Sequence, residues 1–112
     1  MRATAIDQSF VALAHPARRE SVRLCTTQER SVGEVGDLLR LRQSSTSQHL
    51  RTLRDAGIVS VRQDGNRRLY RVDLTRLAEI TATLDSLWGA KLPALKRIAE
   101  QKARASRRAI GR

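Results

Sequence analysis

Only three residues, Arg40 to Arg42, separate two short amphipathic patterns in this chain. Upstream, SVGEVGDLL opens with Ser31 and carries Glu34 three residues later, the spacing of a capping box. Its apolar positions Val32, Val35, Leu38 and Leu39 recur at helical intervals. Gly33 and Gly36 each cost about 1 kcal/mol relative to alanine inside a helix, so this helix must be held by its neighbours. Downstream, at about 100° per residue, Thr46, Leu50 and Leu53 cluster on one face, with Ser44, Ser47, Gln48 and Arg51 on the other. Two helices with so short a connection have the layout of a helix-turn-helix.

The second helix has an unusual outer face. Residues 44 to 47 are Ser-Ser-Thr-Ser, side chains that offer the backbone competing hydrogen bonds and are poor helix formers. An ordinary solvent face would carry Glu and Lys in i,i+4 pairs. Here short donors and acceptors stand with one arginine a turn further on. Such a face can approach a surface closely, and Ser and Gln both donate and accept, which suits base edges in a major groove about 12 Å wide. Ser45 and Gln48 also match an S-x-x-Q capping box, so a capping role for part of the segment stays open.

Charge supports a polyanionic partner. The 112 residues carry 22 Lys and Arg, 19 of them arginine, against 11 Asp and Glu, a formal charge of +11. Arginine's planar fork suits phosphates and guanine edges. Composition alone also fits a ribosomal or membrane-surface protein, so the arrangement has to decide. No apolar stretch approaches the roughly 20 residues of a membrane span, and the first residues lack the apolar block of a signal peptide, so a soluble intracellular protein is expected. The lone Cys25 excludes an internal disulfide and suits a reducing cytoplasm. No Ser-His-Asp or Cys-His arrangement and no glycine-rich phosphate loop occurs, so an enzyme is not expected.

Two alternating runs, around Gly65 and Asn66, follow the second helix. Pairing about that turn sets Val61 against Tyr70 and Val59 against Val72 on one face, with Ser60, Arg62, Leu69 and Arg71 on the other. Arg67 lands at the tip beside Arg68. A hairpin with a cationic tip after a helix-turn-helix is the layout of a winged helix, although a merely solvated hairpin fits the same pattern. Upstream, Ile6, Phe10, Val11 and Leu13 share one side of a first helix. Pro16 starts a second with Val22 and Cys25 inward and Arg18, Arg19 and Arg23 largely outward. From Asp73 the spacing is again helical, with a break marked by Gly89 and Pro93. Its many large apolar residues, in a chain with only three aromatics and a thin core, point to packing against a second copy.

The fold expected is therefore mainly α with a β-hairpin wing: about five helices plus a two-stranded wing, as a homodimer. Residues 1–100 form the single domain with dimerisation helices at both ends, and 101–112 form a flexible basic tail.

Three stretches resemble the ArsR/SmtB family of bacterial winged-helix repressors. LAHPARRESVRL is similar to the family's LADPTRLRIL, LRLRQSSTSQHLRTLRDAGIV to its LGLSQSTVSHHLKVLREAGLV, and RQDGNRRLYRV to its wing, REGRRVYYRL. The resemblance, over residues 9 to 72, implies a homodimer joined through its first and last helices and bound to a roughly twofold-symmetric double-stranded DNA operator. Such proteins usually repress their own operon. Carried over by position, Gln43, Ser44, Ser47 and Gln48 become the groove-facing readers, with Arg51 beside them. Arg67 becomes the wing contact, and Arg42, Arg62 and Arg68 complete the expected wing and backbone set. Phe10, Leu84, Trp88 and Leu92 are the expected dimer contacts.

Two departures stand out, Arg42 where serine commonly caps the helix and Thr46 in place of a core valine. The metal-binding positions of relatives are not matched. The third helix lacks a Cys-x-Cys pair and the C-terminal helix has no histidine, while His15, His49 and Cys25 lack ligand spacing. No cofactor is expected, and the inducer is unassigned. A non-specific architectural or RNA-binding module has the charge but not the exposed aromatics of single-strand binders. A winged helix that binds only protein is the third reading.

Overall fold

Residues 4–88 and 92–110 are described by the computed structural model. Within them the chain runs α1 (Ala5–Ala12), α2 (Pro16–Thr27), α3 (Val32–Leu39), α4 (Gln43–Asp55), β1 (Val59–Asp64), β2 (Arg67–Val72), α5 (Leu74–Trp88) and α6 (Leu92–Ile110). That is one helix more than the about five expected, since residues 74–110 hold two. Pro93 lies in the first turn of α6, where its missing N–H costs nothing. The chain divides into two compact units, one ending at Ile80 and one beginning at Thr81, where the sequence pattern suggested one domain through residue 100.

Local chemistry sets the helix ends in the first unit. Thr4 and Asp7 form a reciprocal capping box for α1, with Thr4 N donating to Asp7 Oδ2 at 2.9 Å and Asp7 N donating to Thr4 Oγ1 at 3.2 Å. Pro16 opens α2 behind His15, whose Nδ1 accepts from Ala17 N. Ser31 Oγ accepts from Glu34 N at the start of α3. Arg42 occupies the N-cap of α4 without a side-chain cap bond, and neither Ser45 nor Gln48 supplies one. At the far end of α4, Gly57 N donates to Arg54 O and Ile58 N to Leu53 O, with Gly57 at φ 79°. This is a Schellman closure. The same bonds close α3, from Arg40 N to Asp37 O and from Leu41 N to Gly36 O, here with an arginine at φ 56°.

The core gathers Val22, Cys25, Val35, Leu50, Leu53, Ile58, Tyr70 and Val72 with Ala12, Ala56, Val59 and Ile80. Two expected apolar faces are rotated. In α1 the buried residues are Ser9 and Ala12, while Val11 is 70% exposed. The reason is a polar anchor: Ser9 Oγ donates to Ala5 O at 3.0 Å or to Ala56 O at 3.3 Å. Small side chains let α1 press on the end of α4, and Val11, about 200° round the helix from Ser9, turns outward. Ile6, Phe10 and Leu13 still pack partly against the core. In α3, Val35 is fully buried but Leu38 is 55% exposed, because small Gly36 takes the second buried position.

The hairpin has the expected register, Val59 opposite Val72 and Val61 opposite Tyr70. Its turn has Gly65 at φ 61°, the first central position of a two-residue turn. On the other face Leu69 is buried as well, outside the main core cluster. A contact absent from the sequence reading holds the other edge of β2: Arg30 and Tyr70 exchange backbone hydrogen bonds of 2.9 and 2.8 Å.

In the second unit the expected flexible tail is helix as far as Ile110. Residues 101–109 consist of Gln, Lys, Arg, Ala and one Ser, nearly all strong helix formers, and no glycine interrupts them before Gly111. Leu84, Leu87, Leu95 and Ile98 are exposed.

Gly36 is a close-packed point between α3 and the residues that follow it. A Cβ there would lie 3.1 Å from Thr46 Oγ1 and 3.2 Å from Leu41 O, whereas at Gly33 its nearest neighbour would be Ser31 Oγ at 3.9 Å. Gly33→Ala should therefore raise the unfolding free energy by about 0.5–1 kcal/mol. Gly36→Ala should forfeit that gain, and Gly36→Val should cost about 1–3 kcal/mol. Urea denaturation of the three variants checks the ranking.

Candidate nucleic-acid interface

The outward face of α4 follows from what its inward face does. Thr46, Leu50 and Leu53 are buried, and the Thr46 hydroxyl donates to Arg42 O at 2.9 Å. A hydroxyl in the usual valine position is thus satisfied within its own helix. With that stripe fixed inward, Gln43, Ser44, Gln48 and Arg51 are exposed and Ser47 is half-buried. Ser44, Ser45, Ser47, Gln48 and Arg51 line one shallow depression. Among the described residues, the side chains of Gln43, Ser44, Ser47 and Gln48 make no hydrogen bond. Their donors and acceptors are open to an incoming partner.

The basic residues fall into two groups. Arg62 Nε donates to Glu29 Oε2 at 2.7 Å, and Arg67 is paired with Glu34 at the start of α3. Both of these expected contacts are therefore engaged with carboxylates 33 residues away. The Arg62 hydrogen bond holds the Glu29 carboxyl below its ordinary range. Exposed pairs of this kind are screened by solvent and weak, so they steady the hairpin and can be exchanged for other anions. Arg42, Arg51 and Arg68 are exposed, and among the described residues none has an ion-pair partner. The reading from sequence missed Arg54, which shares a cleft with Arg51 and Arg68 between α4 and the hairpin. Its spacing three residues after Arg51 was the available signal.

Of the expected dimer contacts, Phe10 packs partly against the core of the first unit and Leu84 is 38% exposed. The side chains of Trp88 and Leu92 lie outside the described residues.

A model of the bacterial regulatory protein, arsR family, matches residues 15–61. The biofilm growth-associated repressor of Agrobacterium fabrum is 36% identical over 89 residues, 80% of this chain and 76% of that one. The chain belongs to the arsR family. Two uncharacterized HTH-type transcriptional regulators from strains of Mycobacterium tuberculosis are 42% identical over 74 residues, and the match spans 65% of this chain and 65% of their length. Among solved structures, a "possible transcriptional regulator for arsenical resistance" superposes with a TM-score of 0.69 at 41% identity, covering 81% of this chain and 94% of that one. The homodimeric winged helix-turn-helix domain of a Mycobacterium bovis protein shares the fold, with a TM-score of 0.64 at 20% identity over 77% of this chain and 82% of that one. The matched arsR-family relatives are transcriptional regulators rather than enzymes.

In this arsR-family chain burial shifts two titratable groups of the first unit, Cys25 and His49. Burial pushes the Cys25 thiol up to about 11, so at neutral pH it is a protonated, buried group rather than a thiolate. Among the described residues no three His, Cys, Asp or Glu side chains gather as metal ligands, and no helix is long and apolar enough to cross a membrane. His49 on α4 packs against His15, with ring centroids 4.5 Å apart. Burial first, then the neighbouring His15 and Arg18, lower the His49 pKa from its ordinary value.

A lowered folded-state pKa makes the unfolded chain the better proton acceptor at this site. The stability it confers is complete above the ordinary imidazole value of about 6.5 and is lost as pH falls through the folded-state value. Melting temperature should drop between pH 7.5 and pH 5, and the drop should be smaller in His49→Gln. Thermal denaturation at both pH values makes the comparison.

Proposed function

We propose that the protein is a dimeric, sequence-specific repressor that acts in the cytoplasm on a roughly twofold-symmetric operator in double-stranded DNA. The observation that carries this reading is the outward face of α4. Ser44, Ser47 and Gln48 stand exposed or half-buried with free hydrogen-bonding groups on the second helix of a helix-turn-helix. In this motif the second helix lies in the major groove, where each base pair presents a distinct set of donors and acceptors. Gln43, Ser44, Ser47 and Gln48 read base edges, Arg51 stands at the margin of that face, and Arg42, Arg62, Arg67 and Arg68 address the backbone and the flanking groove. Arg62 and Arg67 exchange their carboxylate partners for phosphates on binding.

Dimerisation fits the apolar side chains left in water. Leu84, Leu87, Leu95 and Ile98 are exposed along α5 and α6, and Val11 along α1. A second copy covers such surface at a gain of about 25 cal/mol per Å² of apolar area buried. Phe10, Leu84, Trp88 and Leu92 are the contacts assigned to it. The homodimeric state of the Mycobacterium bovis domain of the same fold and the repressor among the relatives agree with this reading. Residues 101–110, basic and helical, add sequence-independent attraction to the duplex.

Operator fragments selected from genomic DNA by the purified protein supply the test sequence. Gln48→Ala should weaken binding to the selected operator about 5- to 150-fold, the effect of about 1–3 kcal/mol from a lost base contact, and leave binding to random duplex unchanged. Equal losses on both DNAs, or selection that yields no preferred site, would contradict base readout and favour a non-specific binder.

A further inference from the structure

His49 stands beside the buried stripe of α4, half-buried, and its ring meets that of His15 at a centroid distance of 4.5 Å and an angle of 46°. His15 is the N-cap of α2, where its Nδ1 accepts a hydrogen bond of 3.1 Å from Ala17 N. That bond needs the Nδ1 lone pair, so the neutral ring carries its proton on Nε2. Positive charge surrounds the contact. The charged groups that act on His49 are His15 and Arg18. One turn away along α4 stand Ser45, Thr46, Thr52 and Leu53, all uncharged, and α1, α3 and β1, which also pack on α4, bring no charge that acts on it. Among the described residues Arg18 makes no ion pair, and its Nε is buried without a hydrogen-bond partner. The charges that follow His15 along α2 are Arg18 and Arg19, the latter bonded to Leu13 O, while Glu20 is held by Arg23.

Any proton added here works against the contact. On His15 Nδ1 it abolishes the Ala17 bond and leaves a cation at a helix N-terminus, the end that disfavours one. On His49 it sets an imidazolium beside Arg18 in a half-buried place. In both cases moving α4 away from the start of α2 relieves the repulsion. We propose that the His15–His49 contact is a proton-sensitive latch, which seats α4 while both rings are neutral and releases it on acidification, so that sequence discrimination is lost as pH falls. The inference rests on the DNA-binding reading above and adds regulation to it, through two residues that stand apart from the base-reading set. The loss falls on discrimination rather than on attraction to DNA as such. Base contacts need α4 in register, whereas added positive charge still draws phosphates.

The test uses the full chain and compares a selected operator duplex with a mixed-sequence duplex at pH 7.5 and pH 5.5, at constant ionic strength. The ratio of the two affinities should fall about 3- to 10-fold on acidification, the range set by about one proton per subunit. In the double variant His15→Asn, His49→Gln, where asparagine keeps a neutral N-cap, the ratio should match the unmodified protein's value at pH 7.5 and hold at pH 5.5. A second measurement needs neither DNA nor substitution. Amide hydrogen exchange in the free protein, corrected for its intrinsic pH dependence, should show Leu50 and Leu53 losing protection relative to Tyr70 at pH 5.5. An affinity ratio that stays constant with pH, an equal fall in the double variant, or unchanged relative protection of α4 would overturn the latch. Loss of that protection in a protein that prefers no DNA sequence at pH 7.5 would instead overturn the DNA-binding reading and leave the proton-sensitive contact standing.

Discussion

The close approach of α3 and α4 at Gly36 and Thr46 is the constraint on which the rest of the molecule depends. A Cβ at Gly36 would press on the Thr46 hydroxyl and the Leu41 carbonyl, and Arg40 turns left-handed to bring the chain round in so few residues. A non-glycine residue in that conformation is strained. The two backbone bonds that close α3 and the burial of Val35, Leu50 and Leu53 offset the strain. Once α4 is seated this way its rotation is fixed. The serines and Gln48 face outward as a consequence of packing on the other side.

That geometry explains why so poor a helix-forming sequence is kept. α4 begins without a side-chain cap and runs through four hydroxyl residues, so its intrinsic stability is low. Only one hydroxyl, that of Thr46, is turned to structural use within the first turns, as a donor to Arg42 O. The rest remain free. A helix stabilised from behind by its core contacts can hold weak helix formers in front, where small polar groups permit close contact. The ion pairs of Arg62 and Arg67 act similarly at the hairpin, which they brace against the α2–α3 connection and the start of α3 until a stronger anion competes.

How much could be read from the sequence follows from the range of each interaction. The hairpin register was legible because Gly65 and Asn66 fix the turn and alternation does the rest. The split faces of α4 were legible because period 3.6 is a local property. Val11 and Leu38 lie outward although hydrophobicity favours burying them, because Ser9 and Gly36 occupy the inner positions through a hydrogen bond and through size. The Glu29–Arg62 and Glu34–Arg67 pairs and the Arg30–Tyr70 bridge join residues more than 30 apart, and no local pattern marks them. The basic end of α6 reads as a tail by its charge, while its helix-forming composition carries the helix through Ile110. The cleft around Arg54 needed the hairpin's position, which only the fold supplies.

The central claim is that the polar face of α4, and not charge alone, meets the DNA. It is tested most directly by titrating isotope-labelled protein with a selected operator duplex and following backbone and side-chain amide resonances. The account expects the largest shifts at Ser44, Ser47 and the Gln48 side chain, with smaller ones along the hairpin. Shifts confined to the basic residues of α6, with α4 silent, would contradict it.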